Sequence, residues 1–344
     1  MNVFVAYSGG TDSTYSILQY KEMGYNVKAV HAQLSPAPAN VNEKLDLLES
    51  FCNKHGVEFI YLDYSKEFWN SVVEEFCSLY GEGKTPNPCA LCNPQMKFGL
   101  LRRYAFEHGA DKFVTGHYTR RKEIHGRALL YPAVDESKDQ SYFLSLVPQE
   151  FFTNVEFPLG TRVKEDVRQE LRSKGITPPY PSDSQEICFI PNDDYRSFLQ
   201  DQKRVIERSG NICLQDGTIV GKHNGLWQYT EGQRRGLSIA YAYPLYVIRK
   251  DTETNTLYVG SKEELAITGC TAHKINVFLP YELWGEELYV RTRYRQKKVR
   301  ADVTIEGDTL CVRYKEPQEA IACGQVLAVY NAQGAIVAGG ILTM

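Results

Sequence analysis

The chain has 344 residues, 43% of them hydrophobic, which is enough for two or three domains with packed cores. Its formal net charge of −3 excludes a globally basic surface, so any contact with nucleic acid must use local basic patches. A strand is predicted from residue 3 and no run of about 18 apolar residues occurs, so neither a leader peptide nor a membrane span is expected. The composition predicts a soluble, cytoplasmic protein whose nine cysteines do not form a disulfide framework.

A glycine-rich loop, Ser8-Gly9-Gly10-Thr11-Asp12-Ser13, follows the first predicted strand and precedes a predicted helix. Such a turn directs backbone N–H groups and the positive end of the helix dipole at an anion, and Asp12 can hold Mg²⁺ against phosphates. The spacing fits neither a Walker A loop nor GxGxxG, so neither γ-phosphoryl transfer nor a dinucleotide is expected. The loop resembles that of the ATP pyrophosphatase superfamily, which implies adenylation of a substrate oxygen with release of pyrophosphate.

Strand and helix patterns alternate over the first 135 residues. Strands are predicted at 27–32, 58–62 and 112–115, and helices at 43–55, 67–80 and 97–107. This alternation predicts an α/β fold with a doubly wound parallel sheet that binds ligands at the carboxyl ends of its strands. Short strands with turn residues follow from about residue 203. We therefore predict a catalytic domain at 1–202, a β-rich central module at 203–268 and a C-terminal β-barrel at 269–344.

The cysteines fall into two groups. Residues 85–93, Thr-Pro-Asn-Pro-Cys-Ala-Leu-Cys-Asn, predict an exposed irregular loop, in which Cys89 and Cys92 are functional thiols rather than packing residues. Cys188 lies between polar and apolar residues, and alone it fits a core thiol as well as a functional one. The remaining thiols lie in patterned segments and are predicted to be core residues: Cys52, Cys77, Cys213, Cys270, Cys311 and Cys323.

Four cations alternate along a strand predicted near residue 294. Arg291, Arg293, Arg295 and Lys297 would lie on one face, with Tyr294 between them. The pattern fits a solvated edge strand that resists aggregation and also fits a ridge that binds phosphates.

Seven motifs in this order resemble the tRNA-specific 2-thiouridylase (MnmA) family over essentially the whole chain. They are SGGTDS at 8–13, TPNPCALCN at 85–93 with the following Lys97-Phe98, TGHY at 115–118, KDQSY at 138–142, SQEICFI at 184–190, TEGQRRGL at 230–237 and RTRYRQ at 291–296. The resemblance implies ATP-dependent 2-thiolation of the wobble uridine of tRNA. It implies ATP and Mg²⁺ as cofactors. The implied partners are the anticodon arm of tRNA and a sulfur donor such as a cysteine desulfurase or a persulfide carrier protein.

The resemblance also implies roles for individual residues. Cys92 matches the catalytic nucleophile and Cys188 the cysteine that carries a persulfide. The residues that match the ATP site are Ala6, Tyr7, Ser8, Gly9, Gly10, Thr11, Asp12, Ser13, Ala32 and Gly116. The residues expected to contact tRNA are Asn87, Pro88, Cys89, His117, Lys138, Asp139, Gln140, Arg234, Arg235, Arg293, Tyr294 and Gln325. For His117 a structural hydrogen bond is an equally good interpretation.

The chemistry agrees with these residue types. Adenylation turns the poor leaving group at C2 of uracil into a phosphate ester. A persulfide on Cys188 can then attack C2, and the Cys92 thiolate can cleave the S–S bond, leaving a Cys92–Cys188 disulfide. Alternatively, Cys92 first liberates hydrosulfide, which attacks C2.

One departure from the family leaves a second sulfur route open. Many relatives carry Asp where this chain has Cys89. Three thiols, from Cys89, Cys92 and Cys188, can bind a [4Fe–4S] cluster whose fourth iron carries hydrosulfide. Two other functions also compete. An amidating or ligating pyrophosphatase of the GMP- or argininosuccinate-synthetase type would not need the cysteine motifs, and a non-catalytic RNA-binding or redox protein would leave the pyrophosphate loop unexplained.

Overall fold

A computed structural model describes residues 1–35, 41–181, 187–205 and 207–343. Within these ranges, each helix is too short or too polar to cross a bilayer. Three of the seven residues of the SQEICFI motif, 184–186, lie outside the described residues, whereas Cys188 lies within them.

The N-terminal domain is built on a parallel sheet. Its strands are β1 (Asn2–Ala6), β2 (Asn26–Gln33), β3 (Glu58–Asp63) and β4 (Lys112–Val114), followed by a hairpin of β5 (Thr119–Ile124) and β6 (Arg127–Pro132) and by β7 (Val155–Glu156). The parallel strands lie in the order β3-β2-β1-β4-β7. Strands β2 and β3 are added on one side of β1, and β4 and β7 on the other side. This change of strand order between β1 and β4 opens a crevice at their carboxyl ends, where doubly wound proteins bind ligands.

The sequence did not predict the hairpin of β5 and β6. His125 and Gly126 both have positive φ, of 52° and 69°, as the tight turn of a two-residue hairpin requires. The hairpin extends the chain directly beyond the carboxyl end of β4.

The N-terminal domain also contains α-helices. They are α1 (Thr11–Glu22), α2 (Val41–Lys54), α3 (Ser65–Phe68), α4 (Glu74–Gly81), α5 (Pro88–Cys92), α6 (Arg102–Glu107), α7 (Lys164–Ser173) and α8 (Tyr195–Asp201). Two π-helical segments, Trp69–Val73 and Asn93–Leu101, join α3 to α4 and α5 to α6. Single 3₁₀ turns occupy Ser141–Leu144, Gln149–Phe152, Pro158–Thr161, Pro191–Asp193, Leu226–Gln228, Glu263–Leu265 and Tyr281–Leu283.

The prediction that residues 85–93 form an exposed loop was wrong. A helix begins at Pro88, because proline fits the first helical position and the Asn87 side chain caps the helix. Its Oδ1 accepts a hydrogen bond from the N–H of Ala90 at 3.1 Å. Cys92 therefore lies at the end of a helical turn, and it is only 7% exposed.

The rest of the chain is β-rich. The central sheet contains β8 (Gly210–Cys213), β9 (Ile219–His223), β10 (Tyr246–Asp251) and β11 (Thr256–Gly260), in the order β10-β11-β8-β9. The strands β12 (Ala266–Val277), β13 (Leu288–Arg291), β14 (Val299–Glu306), β15 (Thr309–Glu319), β16 (Val326–Asn331) and β17 (Ile336–Thr343) close a barrel in the order β12-β15-β14-β13-β16-β17. The predicted fold class is confirmed, while the boundaries at 202 and 268 remain predictions.

The barrel packs directly on the N-terminal domain. One core cluster includes Phe4 and Phe113 of the parallel sheet together with Trp284 and Tyr330 of the barrel. Tyr142, which is fully buried between them, donates a hydrogen bond from its hydroxyl to the carbonyl of Val326 at 2.9 Å. This contact fixes the barrel relative to the crevice.

Candidate active site

The glycine-rich loop connects β1 to α1 at the mouth of the crevice. Gly9 has a φ of +79°, and a Cβ there would lie 2.7 Å from the Tyr180 ring, so the position requires glycine. The Ser13 hydroxyl lies 3.2 Å from both the N–H and the hydroxyl of Ser8, which closes the loop. Within the described residues no side chain caps α1, so its first-turn N–H groups suit an anion.

Asp12 is held by a buried lysine that the sequence analysis did not identify. Both carboxylate oxygens lie 2.7 Å from Nζ of Lys164, whose side chain is 5% exposed, and Oδ1 also accepts a hydrogen bond from the Tyr118 hydroxyl at 3.0 Å. The carboxylate chemistry suits Mg²⁺, which commonly binds one or two carboxylates together with phosphates. The role of Asp12 as a Mg²⁺ ligand stays a prediction, and Asp12 would have to share its oxygens between Mg²⁺ and Lys164.

The other residues matched to the ATP site surround the same loop. Gly116 follows β4, and a Cβ on it would lie 3.0 Å from Cβ of Asp12 and 3.3 Å from the backbone nitrogen of Ser13. Ala6 ends β1 opposite Val30 of β2, and Ala32 lies two residues further along β2. The structure thus brings these strand ends together at one crevice.

The segment that precedes Cys188 is tied to the glycine-rich loop. The N–H of Tyr180 donates to the carbonyl of Gly9 at 2.9 Å, and the Thr11 hydroxyl donates to the carbonyl of Pro181 at 3.3 Å. Beyond the undescribed residues 182–186, Phe189 packs into the core cluster that contains Cys92. In the chain, Cys188 therefore lies between a segment bonded to the nucleotide loop and a residue that packs with Cys92.

The three predicted thiols influence one another electrostatically. Burial raises the pKa of Cys92 to about 12; Lys97 lowers it, and Cys188 and Cys89 raise it. Burial also raises the pKa values of Cys89 and Cys188, although the side chains of both reach solvent. Lys97 lowers the pKa of each of the three thiols, and Cys92 rests as a thiol.

The thiols are not arranged as a metal site in this structure. Among the residues that the structure describes, no three or more His, Cys, Asp or Glu side chains form a group that could hold a metal ion. Four of the six thiols predicted to be core residues are buried, namely Cys52, Cys77, Cys213 and Cys323, whereas Cys270 and Cys311 are partly buried.

Lys97 is the second residue that the sequence analysis left without a role. It lies in the π-helical segment Asn93–Leu101, which directly follows Cys92, and its charge lowers the pKa of that thiol. Its Nζ lies 3.4 Å from Nε2 of His117, and Nδ1 of His117 lies 2.8 Å from the Thr115 hydroxyl. Burial, followed by the charge of Lys97, lowers the pKa of His117 well below its usual value. His117 is therefore neutral, with Nε2 accepting from Lys97 and Nδ1 donating to Thr115, which matches its structural interpretation.

The prediction that four cations alternate on one face of a strand was wrong, whereas phosphate binding by the exposed ones stays a prediction. Strand β13 ends at Arg291, and the following residues leave the barrel wall. Arg291 pairs with Asp139 at 2.9 Å, and Nη2 of Arg293 donates to the carbonyls of Glu231 and Ala320 at 3.0 and 2.9 Å. The alternating pattern in the sequence shows charge but not burial. Two of its four cations, Arg291 and Arg293, have partners inside the protein. Arg295 and Lys297 remain exposed, whereas Tyr294 stacks near Phe143 at 4.4 Å between ring centroids.

Two more of the residues expected to contact tRNA have internal partners. Asp139 is buried and, besides Arg291, accepts hydrogen bonds from the N–H groups of Ala133 and Ser141. Its assignment to RNA binding is corrected, because a buried and fully paired carboxylate cannot reach RNA. Gln140 accepts from the N–H of Tyr118 through Oε1 at 2.9 Å. Lys138 is partly exposed, and Arg234 and Arg235 are exposed.

Family models match three consecutive stretches of the chain. The tRNA methyl transferase HUP domain matches residues 1–192, the tRNA methyl transferase PRC-barrel domain residues 196–261, and the aminomethyltransferase beta-barrel domain residues 267–342. A solved structure, the U34-tRNA thiolase NcsA from Methanococcus maripaludis with its [4Fe-4S] cluster, is 19% identical with a TM-score of 0.38. It covers 59% of this chain and 65% of its own, a likeness too slight to carry conclusions here.

Curated relatives match the chain from end to end. The tRNA-specific 2-thiouridylase MnmA of Oleidesulfovibrio alaskensis is 46% identical, over 99% of this chain and 99% of its own length. The protein of the same name from Lawsonia intracellularis is 43% identical, over 100% of this chain and 99% of its own. With its glycine-rich loop and thiols at one crevice and this similarity along both chains, the protein belongs to the tRNA-specific 2-thiouridylase (MnmA) family.

Proposed function

We propose that this chain is a tRNA-uridine 2-sulfurtransferase that uses ATP to adenylate the C2 oxygen of the wobble uridine and then replaces that oxygen with sulfur. The observation that carries the proposal is the connection between the nucleotide loop and the thiols. The chain leading to Cys188 is bonded to Gly9 and Thr11, and Cys188 interacts electrostatically with Cys92. Adenylation and sulfur transfer can therefore occur in one crevice.

In the first step, the loop would bind the pyrophosphate end of ATP through the N–H groups at the start of α1. The buried ammonium of Lys164 lies beside the loop and can stabilise the negative charge of the leaving pyrophosphate. Mg²⁺, when bound, would neutralise phosphate charge, and Asp12 is the residue that would hold it. The uridine oxygen attacks the α-phosphorus, and pyrophosphate leaves.

In the second step, a persulfide on Cys188 attacks C2, and AMP departs with the original oxygen. The Cys92 thiolate then attacks Sγ of Cys188, so that the thiolated uridine is released and a Cys92–Cys188 disulfide forms. An external dithiol must reduce that disulfide before the next turnover. If Cys92 releases hydrosulfide first, the same disulfide results. A persulfide-bearing protein, such as a cysteine desulfurase or a carrier, would supply the sulfur, and we propose the cytoplasm as the compartment.

The burial of Cys92 supports this order of events. A thiol whose pKa is raised to about 12 is mostly protonated at neutral pH, so it does not attack the persulfide prematurely. Lys97, which lowers that pKa, is the cation available to stabilise the thiolate when it forms. The cluster route remains the alternative for the sulfur step, with Cys89 as its third ligand.

The test is anaerobic thiolation by Cys89→Ala, Cys92→Ala and Cys188→Ala, with Cys311→Ala in the barrel as the matched control. We expect Cys89→Ala and Cys311→Ala to stay active and the other two to lose thiolation, with the Cys92–Cys188 disulfide accumulating in the wild type. Loss of both iron and activity in Cys89→Ala would instead establish the cluster route. Thiolation that survives without Cys92 and Cys188 would refute both routes.

A further inference from the structure

A residue of the barrel domain forms hydrogen bonds with the chain immediately before α5, the helix that carries Cys92. Nε2 of Gln325, the residue immediately before β16, donates to the carbonyls of Thr85 and Pro86 at 3.0 and 3.2 Å. Oε1 of the same side chain accepts from Nδ2 of Asn87 at 3.4 Å. Both the donor and the acceptor ends of this amide are therefore engaged by three consecutive residues.

Asn87 transmits this contact to the helix. While its Nδ2 donates to Gln325, its Oδ1 accepts from the N–H of Ala90 and so caps α5. The cap fixes where the helix starts, and Cys92 lies at its other end. Gln325 is thus two hydrogen bonds from the backbone of the turn that presents the nucleophile.

The backbone at Thr85 is fixed independently of these side chains. Its N–H donates to the carbonyl of Cys323 at 2.7 Å, and its hydroxyl lies 3.2 Å from that of Thr230 in the central module. Gly324 has a φ of +89°, and a Cβ there would lie 3.2 Å from the carbonyl carbon of Thr85, so a larger residue would push the segment away. All three parts of the chain meet at this residue, which makes it a rigid base for α5.

We propose that Gln325 is a positioning residue: through Asn87 and the carbonyls of Thr85 and Pro86 it sets the place of the Cys92 helix. This inference rests on the proposed function in taking Cys92 as the nucleophile. This positioning role replaces the direct tRNA contact that the resemblance implies for Gln325. To bind the Gln325 amide, an RNA base would have to break its three internal hydrogen bonds.

The experiment compares Gln325→Ala and Gln325→Glu with Gln333→Ala, a glutamine in an exposed turn of the same barrel. Gln325→Glu keeps the size of the side chain and the acceptor for Asn87 but loses the donors to Thr85 and Pro86. Three quantities are measured: the Kd for tRNA, kcat at saturating tRNA, and the rate of Cys92 alkylation by iodoacetamide without ATP or RNA. Circular dichroism verifies folding.

For both Gln325 variants we expect kcat to fall roughly ten- to a hundredfold, as for a nucleophile displaced by a fraction of an ångström to one ångström. The Kd for tRNA should be unchanged and Cys92 alkylation should change, while Gln333→Ala matches the wild type. Asn87→Ala combined with Gln325→Ala should lower kcat by less than the product of the two single effects, because the two residues share one hydrogen bond. A raised Kd with unchanged kcat and alkylation would overturn the inference in favour of direct RNA contact, and so would full additivity of the two substitutions. Because alkylation needs neither tRNA nor ATP, it tests the positioning even if the chain proves not to thiolate tRNA.

Discussion

The arginines of the RTRYRQ segment differ in burial, and this difference makes a quantitative prediction. Replacing Arg291 by Met removes the cation that pairs with Asp139, whose side chain is 1% exposed. Breaking a buried pair by removing one partner costs about 3–5 kcal/mol. Asp139 keeps its hydrogen bonds to Ala133 and Ser141, so we expect the low end, about 3 kcal/mol. That is roughly a hundredfold in the folding equilibrium, since about 1.4 kcal/mol corresponds to a factor of ten.

The assay is urea unfolding followed by tryptophan fluorescence, to which Trp284 in the barrel core contributes. Arg295→Met, at an exposed position of the same segment, is the matched control and should have the same urea midpoint as the wild type. Arg295→Met should instead lower the slope of log K against log salt for tRNA by slightly less than one unit if Arg295 contacts a phosphate. Asp139→Asn combined with Arg291→Met should recover much of the lost stability, because no buried charge then lacks a partner. Equal urea midpoints for Arg291→Met and Arg295→Met would refute this assignment.

Three further outcomes are expected. Alkylation of Cys92 should accelerate about tenfold per pH unit from pH 7 to 10, because its pKa is raised to about 12, and Lys97→Met should slow it at each pH, as peptide mass spectrometry can measure. The pKa of His117 is lowered in the folded state, so below about pH 6.5 only the unfolded chain binds a proton there, and the free energy of unfolding falls as the pH drops. His117→Asn should make the urea midpoint less dependent on pH in that range. An unchanged pH dependence of the midpoint would contradict a neutral, buried His117. Asp12→Ala should abolish tRNA-dependent pyrophosphate release and also destabilise the fold by removing a carboxylate partner of the buried ammonium of Lys164, whereas adding Lys164→Met should restore stability but not activity.

The sequence predicted the parallel sheet well because its strands carry strong apolar patterns between helices. It missed strand β5, Thr-Arg-Arg-Lys-Glu-Ile, because that strand contains mainly polar residues and is held by pairing with β6. It also missed α5, since two prolines in residues 85–93 suggested a loop, although a proline at the first helical position is compatible with a helix.

The thiols and the glycine-rich loop were predicted because their chemistry is local in the sequence. Lys164 was not, since it begins a strongly charged helix and only the tertiary fold places its ammonium against Asp12. Arg291 and Arg295 have the same side chain and the same spacing, so no sequence pattern could separate the buried cation from the exposed one. Gln325 likewise depends on a contact between residues about 240 positions apart in the chain.

The most direct test of the account is to incubate the enzyme with ATP, a persulfide donor and tRNA that carries a wobble uridine, and to analyse all products together. The account predicts equal amounts of AMP, pyrophosphate and 2-thiouridine, with the sulfur at the wobble position by nucleoside mass spectrometry, and no pyrophosphate without tRNA. Release of ADP, or pyrophosphate formation with no sulfur in the tRNA, would contradict it.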